Sequence, residues 1–466
     1  MSDADELPQH IEQPTAVRTS YTCPGELYSI PRSIHLARMA AFYSKCRDCE
    51  HRFESGHVPP RTSGQPPEVV HRKTRTSLLT DESVRGVYLN ELDRNRALLW
   101  GEAFAASLWE LQPMVARQEA TDDAQIVTES ATRQVRSESS GPVVVVGFDE
   151  RSSSPDIVTG IVLGLRRMGC PVVDLGQTSL PVIGFQLQAH SASAGLYVTG
   201  AGCDPSWTGF DFLDREAKPY SLEALVKMER DVQTGVGRQT RKIGGHHPIQ
   251  ELANYEASLS VHFHALRPLR VVCGSSTRIL PRILDRLFAR LPCELNHVSL
   301  PTRKRNLFDP RDVDLQRVAK SVVDGRHHLG LVVDEDGQHV AFVTDSGRLV
   351  SPKEVARLLI EIAQRENHQA RFVVASSLLG DVTQWLSGRD ATATDGGETA
   401  ANLVRLLVES DAVLALSSDG RVWFRNEMLA CDAVLVLANI LQALSLSDAP
   451  FAEVVARISH GIDSNG

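Results

Sequence analysis

Aromatic residues and long apolar runs are scarce in this chain of 466 residues. Phe, Trp and Tyr together make up 6% of it, and no run of about 18 apolar residues occurs, so the sequence predicts no membrane-spanning helix. The first ten residues, MSDADELPQH, lack the positive and apolar segments of a signal peptide. We therefore expect a soluble, cytoplasmic protein that does not contact a membrane.

An excess of positive charge is also absent. The formal net charge is -9 at pH 7, whereas binding to nucleic acid depends on clustered Lys and Arg. One small basic cluster, at 71–75, is interpreted as part of a solvated linker. Nucleic acid is therefore not an expected partner, while small anionic ligands remain compatible with the composition.

Cysteine is too sparse for a disulfide scaffold, since the chain has eight cysteines in 466 residues. Five of them stand singly in apolar or loop contexts and are interpreted as small buried hydrophobic residues: Cys170, Cys203, Cys273, Cys293 and Cys431. The other three fall within the first 80 residues, in a segment whose composition differs from the rest.

The overall balance of residues is that of a globular protein, with 42% hydrophobic and 23% charged residues. The length predicts two to four domains at about 100 to 200 residues each. From about residue 84, buried-strand runs such as PVVVVGF alternate with amphipathic helices such as DIVTGIVLGLRRMG. This rhythm then repeats twice, which predicts three α/β units with parallel or mixed sheets covered by helices on both faces.

Residues 1–80 read as an extension ending in a Pro-rich linker. Cys46 and Cys49 are separated by two residues, with Cys23 upstream and His51 nearby. Three thiolates and an imidazole match a closed tetrahedral Zn²⁺ site, and a small segment without a large core gains folding energy from a metal. We expect a structural zinc here; an iron–sulfur cluster and plain thiols are the alternatives, and His35 and His57 compete with His51.

The same extension predicts a short helix that begins at Pro31 and stops near Lys45. Its apolar face would include Ile34, Ala37 and Met39.

Polar loops follow three of the predicted strands, where sheets of this kind bind ligands. They cover 147–155, 198–210 and 334–340. In the first, Arg151 and a helix start at Pro155 form either an anion site or a simple cap by Ser153 or Ser154. In the third, Asp334 and Asp336 could converge on one Mg²⁺ or be solvated.

Four stretches, taken in order, resemble landmarks of the α-D-phosphohexomutases, the family of phosphoglucomutase and phosphomannomutase: VRGVYLNELDRNRALLWGEAFAASL, VVVGFDERSSSPDIVTGIVLGLRRMGCPVVDLG, LYVTGAGCDPSWTGFDF and LGLVVDEDGQHVAFVTDSGRLVSP. The resemblance implies three consecutive α/β/α domains of phosphohexomutase type with mixed sheets, at 81–245, 246–367 and 368–466. The family's fourth domain, with its R-x-S-G-T-E-P phosphate loop, is expected to be absent, because no such segment appears.

The resemblance also implies what each loop should contain. A serine in a T-A-S-H-N-P loop carries and transfers a phosphate, and a D-G-D-A-D-R loop holds Mg²⁺ against it. A G-E-x-S-G-H loop selects the sugar hydroxyls.

The sequence departs from this pattern at the chemical positions. The ungapped match places Ala201 at the phosphoserine and Gly202 and Cys203 at the His and Asn, so no hydroxyl stands where the nucleophile should be. Asp204 is the best substitute, because an aspartate can be phosphorylated; its alternative role is an Asp-Pro turn.

The other loops depart as well. Asp334 and Asp336 match the first two aspartates of the magnesium loop, but Gln338 and His339 replace the third aspartate and the arginine, which makes magnesium binding doubtful. The family's sugar-selecting loop matches at 417–421, but without the glutamate that would hold sugar hydroxyls. The sugar cannot be read from this sequence.

Four matches to the family survive as expected phosphate or ligand contacts: Arg85, Arg151, Thr199 and Gly209. Because the serine, metal and sugar positions are altered together, we expect a protein degenerate in mutase chemistry that acts as a phosphosugar-binding, regulatory or scaffold protein, with a protein partner. The alternative is an active phosphosugar mutase that uses a nucleophile other than serine.

Overall fold

The computed structural model describes residues 20–41, 43–52, 77–118, 141–249, 252–425 and 429–460, with side chains as far as 111 in the third range and 459 in the last. The chain divides into two compact units, Met1–Thr74 and Arg75–Gly466. Each unit is described by itself.

The N-terminal unit is small. Strands β1 (Ser20–Thr22) and β2 (Ser29–Pro31) pair antiparallel, and helix α1 (Arg32–Ala40) follows directly. A single 3₁₀ turn, Ser44–Asp48, carries the cysteine pair. The predicted helix is therefore confirmed but ends at Ala40 rather than near Lys45.

In the large unit, the first sheet has six strands in the order β3-β7-β6-β4-β5-β8. Its strands are β3 (Val84–Val87), β4 (Val144–Phe148), β5 (Val172–Gln177), β6 (Ala194–Val198), β7 (Trp207–Asp214) and β8 (His246–Pro248). Strands β4, β5, β6 and β8 run parallel, while β7 is antiparallel to both β3 and β6. Because β8 pairs with β5, this sheet extends past the predicted boundary at 245.

The second and third sheets share one topology, with three parallel strands and an antiparallel edge. The second has the order β10-β9-β11-β12, from β9 (Arg270–Ser275), β10 (Glu294–Ser299), β11 (Leu329–Val333) and β12 (Val340–Thr344). The third has the order β14-β13-β15-β16, from β13 (Arg371–Val374), β14 (Thr392–Asp395), β15 (Leu414–Leu416) and β16 (Val422–Phe424). The predicted α/β class with mixed sheets is confirmed.

The helices of the large unit pack against the sheets. They are α2 (Arg94–Gln118), α3 (Ser154–Arg167), α4 (Leu180–Ala189), α5 (Leu222–Thr234), α6 (Ala253–Ser260), α7 (Ile279–Phe288), α8 (Val313–Asp324), α9 (Pro352–Glu366), α10 (Ser376–Trp385), α11 (Ala400–Glu409), α12 (Ala433–Ser445) and α13 (Phe451–His460).

One continuous apolar core links the three sheets of the large unit. It includes Val145 of β4, Leu331 of β11 and Phe372 of β13, each at most 1% exposed. The core explains the unbroken Val, Ile and Leu runs of the central strands, because strands covered on both faces bury every side chain. It also fixes the strand ends of the three sheets relative to one another.

Candidate functional site

The loops that leave the carboxyl ends of the central strands meet across the three sheets. The backbone N–H of Leu180, at the start of α4, donates to the Asp336 carbonyl (3.1 Å), and the N–H of Ala433 donates to the Gly337 carbonyl (3.0 Å). The turn after β11 is thus held between a helix of the first α/β domain and one of the third. Parallel strands end at one edge, so this convergence follows from the topology.

Asp149, directly after β4, joins the loops at 147–155 and 198–210 through hydrogen bonds. Its side chain is buried and accepts hydrogen bonds from the Thr199 hydroxyl (2.8 Å), the Gly200 N–H (3.1 Å) and the Arg151 N–H (3.0 Å). The Ser154 hydroxyl also donates to it. Sequence reasoning missed Asp149, although an acidic residue directly after a buried strand was the available signal.

Arg151 is buried and bonded entirely within the protein. Its Nε and Nη2 contact the Glu335 carboxylate, each at 2.7 Å. Nη1 donates to the carbonyls of Asp204 (2.8 Å) and Trp207 (3.1 Å), and Nη2 donates to that of Cys203 (3.0 Å). An incoming anion would have to displace Glu335, so the anion-binding role of Arg151 stays a prediction that this geometry does not favour.

Glu335 is the partner of Arg151 in this ion pair, and the sequence analysis did not predict it as a site residue. Its side chain is 4% exposed, and burial raises its pKa to about 7 although Arg151 opposes the shift. The resemblance places a glycine here, between two aspartates. A carboxylate on this turn therefore fills the position beside Arg151 that an anionic ligand would need.

Ala201 lies buried where the resemblance expects the nucleophile. Its N–H donates to the Thr199 hydroxyl at 2.9 Å, so Thr199 is engaged in shaping the loop. Asp204 is exposed, and its carbonyl accepts from the Trp207 N–H (2.9 Å) as expected for a turn. The roles of Asp204 as a nucleophile and of Thr199 as a ligand stay predictions.

Arg85 and Gly209 lie opposite each other in the β3–β7 pair. Arg85 is buried and forms an ion pair with Asp211 at 2.8 Å. Burial opposes the charge on Arg85, but Asp211 outweighs it and raises the pKa of the guanidinium. Both residues contribute to the sheet in this structure, and their ligand role stays a prediction.

The two aspartates of the turn after β11 make hydrogen bonds and ion pairs with other protein side chains. Asp336 Oδ1 accepts from the Gln338 N–H (2.9 Å) and Oδ2 from the Gln338 side-chain amide (3.0 Å), with His339 Nδ1 at 3.3 Å. Burial opposes ionisation of Asp336, but these contacts outweigh it and lower its pKa to about 2. Asp334 lies 3.3 Å from Arg305, a fully buried guanidinium.

These residues do not fit a magnesium site as they are arranged. Both oxygens of Asp336 already accept protein hydrogen bonds, Asp334 faces a cation, and Gln338 supplies an amide donor where the resemblance expects a third carboxylate.

The loop at 417–421 extends this network of ion pairs. Asp419 lies 3.5 Å from His339 and 2.8 Å from Arg421, and Arg421 contacts Glu82 at 2.7 Å. Burial disfavours the charge on His339, but Asp336 and Asp419 outweigh it and raise its pKa to about 10. Loops from the second and third sheets are thus ion-paired to each other and to the segment before β3.

Two cavities lie beside helices of the second and third sheets. One, of about 770 Å³, is lined by residues of α9, α10, α12 and α13, among them Trp385 and Arg457. The other, of about 560 Å³, is lined by α7 and the ends of β9 and β10, among them Thr277 and Arg282. Neither is lined by Ala201 or by residues of the turn after β11.

In the N-terminal unit, the three predicted zinc-site thiols Cys23, Cys46 and Cys49 are buried, while His51 is partly exposed and lies 3.2 Å from Glu50. Within the described residues, no three His, Cys, Asp or Glu side chains are already grouped as in a metal site. His57 and the basic cluster at 71–75 lie outside the described residues.

None of the helices in the described part of the chain combines the length and the apolar character needed to cross a membrane.

Three mixed α/β sheets follow one another along the chain, and loops at the carboxyl ends of their central strands converge. The family model for domain I of phosphoglucomutase/phosphomannomutase, an alpha/beta/alpha domain, matches residues 112–237. By this match the chain is similar to the α-D-phosphohexomutase superfamily, and a likeness to curated mutases extends over about two thirds of the chain.

Individual relatives agree with this assignment. A phosphomannomutase/phosphoglucomutase of Pseudomonas aeruginosa is 25% identical over 321 residues, which cover 65% of this chain and 66% of the relative. A probable phosphoglucosamine mutase of Methanopyrus kandleri is 24% identical over 339 residues, covering 68% of this chain and 72% of the relative. The match thus spans about two thirds of the length of the Pseudomonas relative.

Among solved structures, a phosphoglucomutase/phosphomannomutase family protein from Burkholderia thailandensis superposes with a TM-score of 0.68 at 21% identity. The superposition covers 82% of this chain and 79% of that one. This likeness shows the shared fold.

Proposed function

We propose that this chain is a phosphohexomutase-fold protein that does not perform phosphoryl transfer by the family's serine mechanism and acts as a phosphosugar-binding, regulatory or scaffold protein. The observation that carries the proposal is Ala201, a buried residue without a hydroxyl where the resemblance places the phosphoserine. Removing a serine nucleophile in another enzyme costs on the order of 10⁶ in turnover.

The surrounding contacts support the same proposal. Arg151 is neutralised by Glu335, Asp336 is bonded to Gln338, and Asp419 is bonded to Arg421. Transfer of a phosphoryl group depends on positioned cations and positive side chains that stabilise the charge of the transition state. Here the positive side chains already face carboxylates of the protein.

The competing proposal is an active intramolecular phosphotransferase, which the names of the curated relatives suggest. It needs a nucleophile, and Asp204 is the candidate because it is exposed and follows Ala201 by three residues.

A turnover assay separates the two proposals. Purified protein is incubated with glucose 1-phosphate or mannose 1-phosphate, Mg²⁺ and glucose 1,6-bisphosphate, with the Pseudomonas relative as positive control. We expect no turnover from the parent chain and none from Ala201→Ser, because a hydroxyl alone does not restore the cations around it. Turnover that disappears in Asp204→Asn would establish the competing proposal.

Ligand binding is tested separately by calorimetry with glucose 6-phosphate. If a phosphate can reach Arg151, Glu335→Gln should bind about tenfold more tightly than the parent, because a competing carboxylate is removed. Arg151→Ala is the matched variant and should bind more weakly than Glu335→Gln. Equal affinities for all three proteins would exclude a phosphosugar site at Arg151.

A further inference from the structure

The cavity of about 770 Å³ beside α9, α10, α12 and α13 has no role in the function proposed above. Its volume is within the range of pockets that hold small organic molecules. Part of its wall is apolar and includes Leu358 and Ile362 of α9 and Val454 and Ile458 of α13. The cavity therefore suits a ligand with an apolar or aromatic part.

Trp385 and Arg389 form an aromatic and polar wall of this cavity, and both residues are half-buried. The indole Nε1 of Trp385 donates to the Ile458 carbonyl at 3.2 Å, which fixes the ring at the end of α10. The guanidinium carbon of Arg389 lies over this ring, 4.0 Å from its centre, and Nη1 donates to Glu361 at 2.8 Å. Nucleobases stack on aromatic rings and on guanidinium planes. The wall thus offers a surface on which a base can stack.

Arg457 of α13 has a buried donor without a partner. Its Nε is shielded from solvent and forms no hydrogen bond with the described residues. The Glu453 carboxylate lies 4.0 Å from this nitrogen, beyond hydrogen-bond distance. Buried donors in proteins are almost always paired, so an unpaired one indicates an acceptor that is not part of the chain. Arg457 lines the cavity, and a phosphate oxygen is an acceptor that a guanidinium binds strongly.

Arg365, in the last turn of α9, adds a second available guanidinium. It is exposed, lines the same cavity and forms no side-chain hydrogen bond or ion pair with the other described residues. Apart from His368, the ionisable lining consists of three arginines and the carboxylates Glu361 and Asp390, and Glu361 is already paired with the third arginine. Arg365 and Arg457 therefore outnumber the one remaining carboxylate, in a chain whose net charge is -9. This local excess of positive charge favours an anionic group.

The ends of three helices supply the opposite polarity. Helices α9, α10 and α12 end beside the cavity, since its lining includes His368, Gly388 and Ser447 directly after their last turns. The last carbonyl groups of a helix carry partial negative charge and accept hydrogen bonds. They disfavour a simple inorganic anion, whereas a ligand that carries both hydrogen-bond donors and an anionic group fits the arginines and the helix ends together.

We propose that this cavity binds a nucleoside diphosphate, which combines an aromatic base, amino and hydroxyl donors, and phosphate. The base stacks on Arg389 and Trp385, and the ribose hydroxyls donate to Asp390 and the helix ends. The two phosphate groups accept hydrogen bonds from the two available guanidinium groups, those of Arg365 and Arg457. This inference does not rest on the proposed function, because it concerns residues outside the loop cluster.

Calorimetry on the purified full chain tests the site with ADP, GDP, CDP and UDP. We expect at least one of them to bind with a Kd of about 10 to 100 μM, at least about tenfold more tightly than its own nucleoside or inorganic pyrophosphate. Binding of none of the four would overturn the inference. So would a nucleoside or pyrophosphate that binds as tightly as the nucleotide, because one half of the ligand would then contribute nothing. Excess glucose 6-phosphate should not displace the nucleotide, and displacement would place it at the loop cluster instead.

Two arginine variants locate the site. Arg365→Ala and Arg457→Ala should each weaken nucleotide binding about tenfold, because each removes a charged hydrogen bond. Arg290→Ala, at an exposed arginine after α7 that does not line the cavity, is the matched control and should bind like the parent. Equal affinities for the parent and these variants would contradict the site. Because Arg365 is exposed, its variant should fold even if Arg457→Ala does not.

Tryptophan fluorescence gives an independent readout. The chain has five tryptophans, and a base stacked beside Trp385 should quench the emission of that residue. The nucleotide should therefore quench the parent protein but not Trp385→Phe. Quenching of equal size in both proteins would exclude Trp385 from the site.

Discussion

At the residue scale, the contact between Arg151 and Glu335 separates this chain most clearly from a phosphoryl-transfer site. Both side chains are at most 4% exposed, and the residues are 184 positions apart in the sequence. Replacing Arg151 leaves the Glu335 carboxyl buried without its partner, which costs more than the pair contributes.

Arg151→Met should therefore lower the free energy of unfolding by about 3 to 5 kcal/mol, as measured by urea denaturation. The double variant with Glu335→Gln should recover part of the loss, because no uncompensated carboxylate remains at that position. Arg94→Ala is the control: Arg94 is 55% exposed in its pair with Asp156, and its loss should cost less than about 1 kcal/mol. A loss as small as this for Arg151→Met would show that the pair is not a structural contact.

At the element scale, α2 and α3 pack backbone to backbone. A Cβ placed on Gly164 of α3 would lie 2.2 Å from the Leu98 carbonyl oxygen of α2, closer than any real contact. A Cβ placed on Gly380 of α10 would meet no atom within 4 Å, and the φ of Gly380 is negative.

Gly164→Ala should therefore destabilise the protein by about 1 to 3 kcal/mol, because the helices must move apart. Gly380→Ala should be neutral or stabilise it by up to about 1 kcal/mol, because alanine favours the helix. Thermal unfolding of the two variants measures both, and equal effects would contradict the packing of α2 on α3.

The first turn of α9 supplies a pH-dependent contribution. The Ser351 N–H donates to Glu354 at 2.8 Å, and Arg348 pairs with Glu354 at 3.0 Å. Burial opposes ionisation of Glu354, but these contacts outweigh it and lower its pKa from 4.5. A depressed carboxyl pKa stabilises the fold above the unfolded value and loses this effect as pH falls.

Glu354→Gln should accordingly be less stable than the parent at pH 7, by about 1 kcal/mol. The difference should shrink as pH falls below about 4.5, the ordinary pKa of glutamate. Denaturation curves of both proteins across this range provide the measurement, and a difference independent of pH would contradict the contribution of the charged cap.

At the scale of the whole molecule, ion pairs connect loops from different sheets. Arg151 and Glu335 join the first α/β domain to the second, and His339 and Asp419 join the second to the third. Glu82, before β3, reaches Arg421 of the third and also accepts from the Ala400 N–H. The edge at which related folds bind ligands is thus bridged by the protein's own charges.

The sequence was sufficient for the α/β class with mixed sheets, because strand and helix periodicity carries that information. It did not predict Asp149, Glu335 or Glu82 as parts of the loop cluster. Their partners are distant in the chain, and hydrophobic periodicity carries no information about which charges meet between sheets. The burial of His35 was not predicted either, because it depends on contacts with residues distant in the chain.

Whether the chain can carry a phosphoryl group tests the central claim most directly. Intact mass spectrometry of the parent protein after incubation with Mg²⁺ and glucose 1,6-bisphosphate measures this. The account predicts one species at the unmodified mass, because Ala201 offers no acceptor and Arg151 is held by Glu335. A stable increment of one phosphoryl group, mapped to Asp204 or another residue of 198–210, would contradict it.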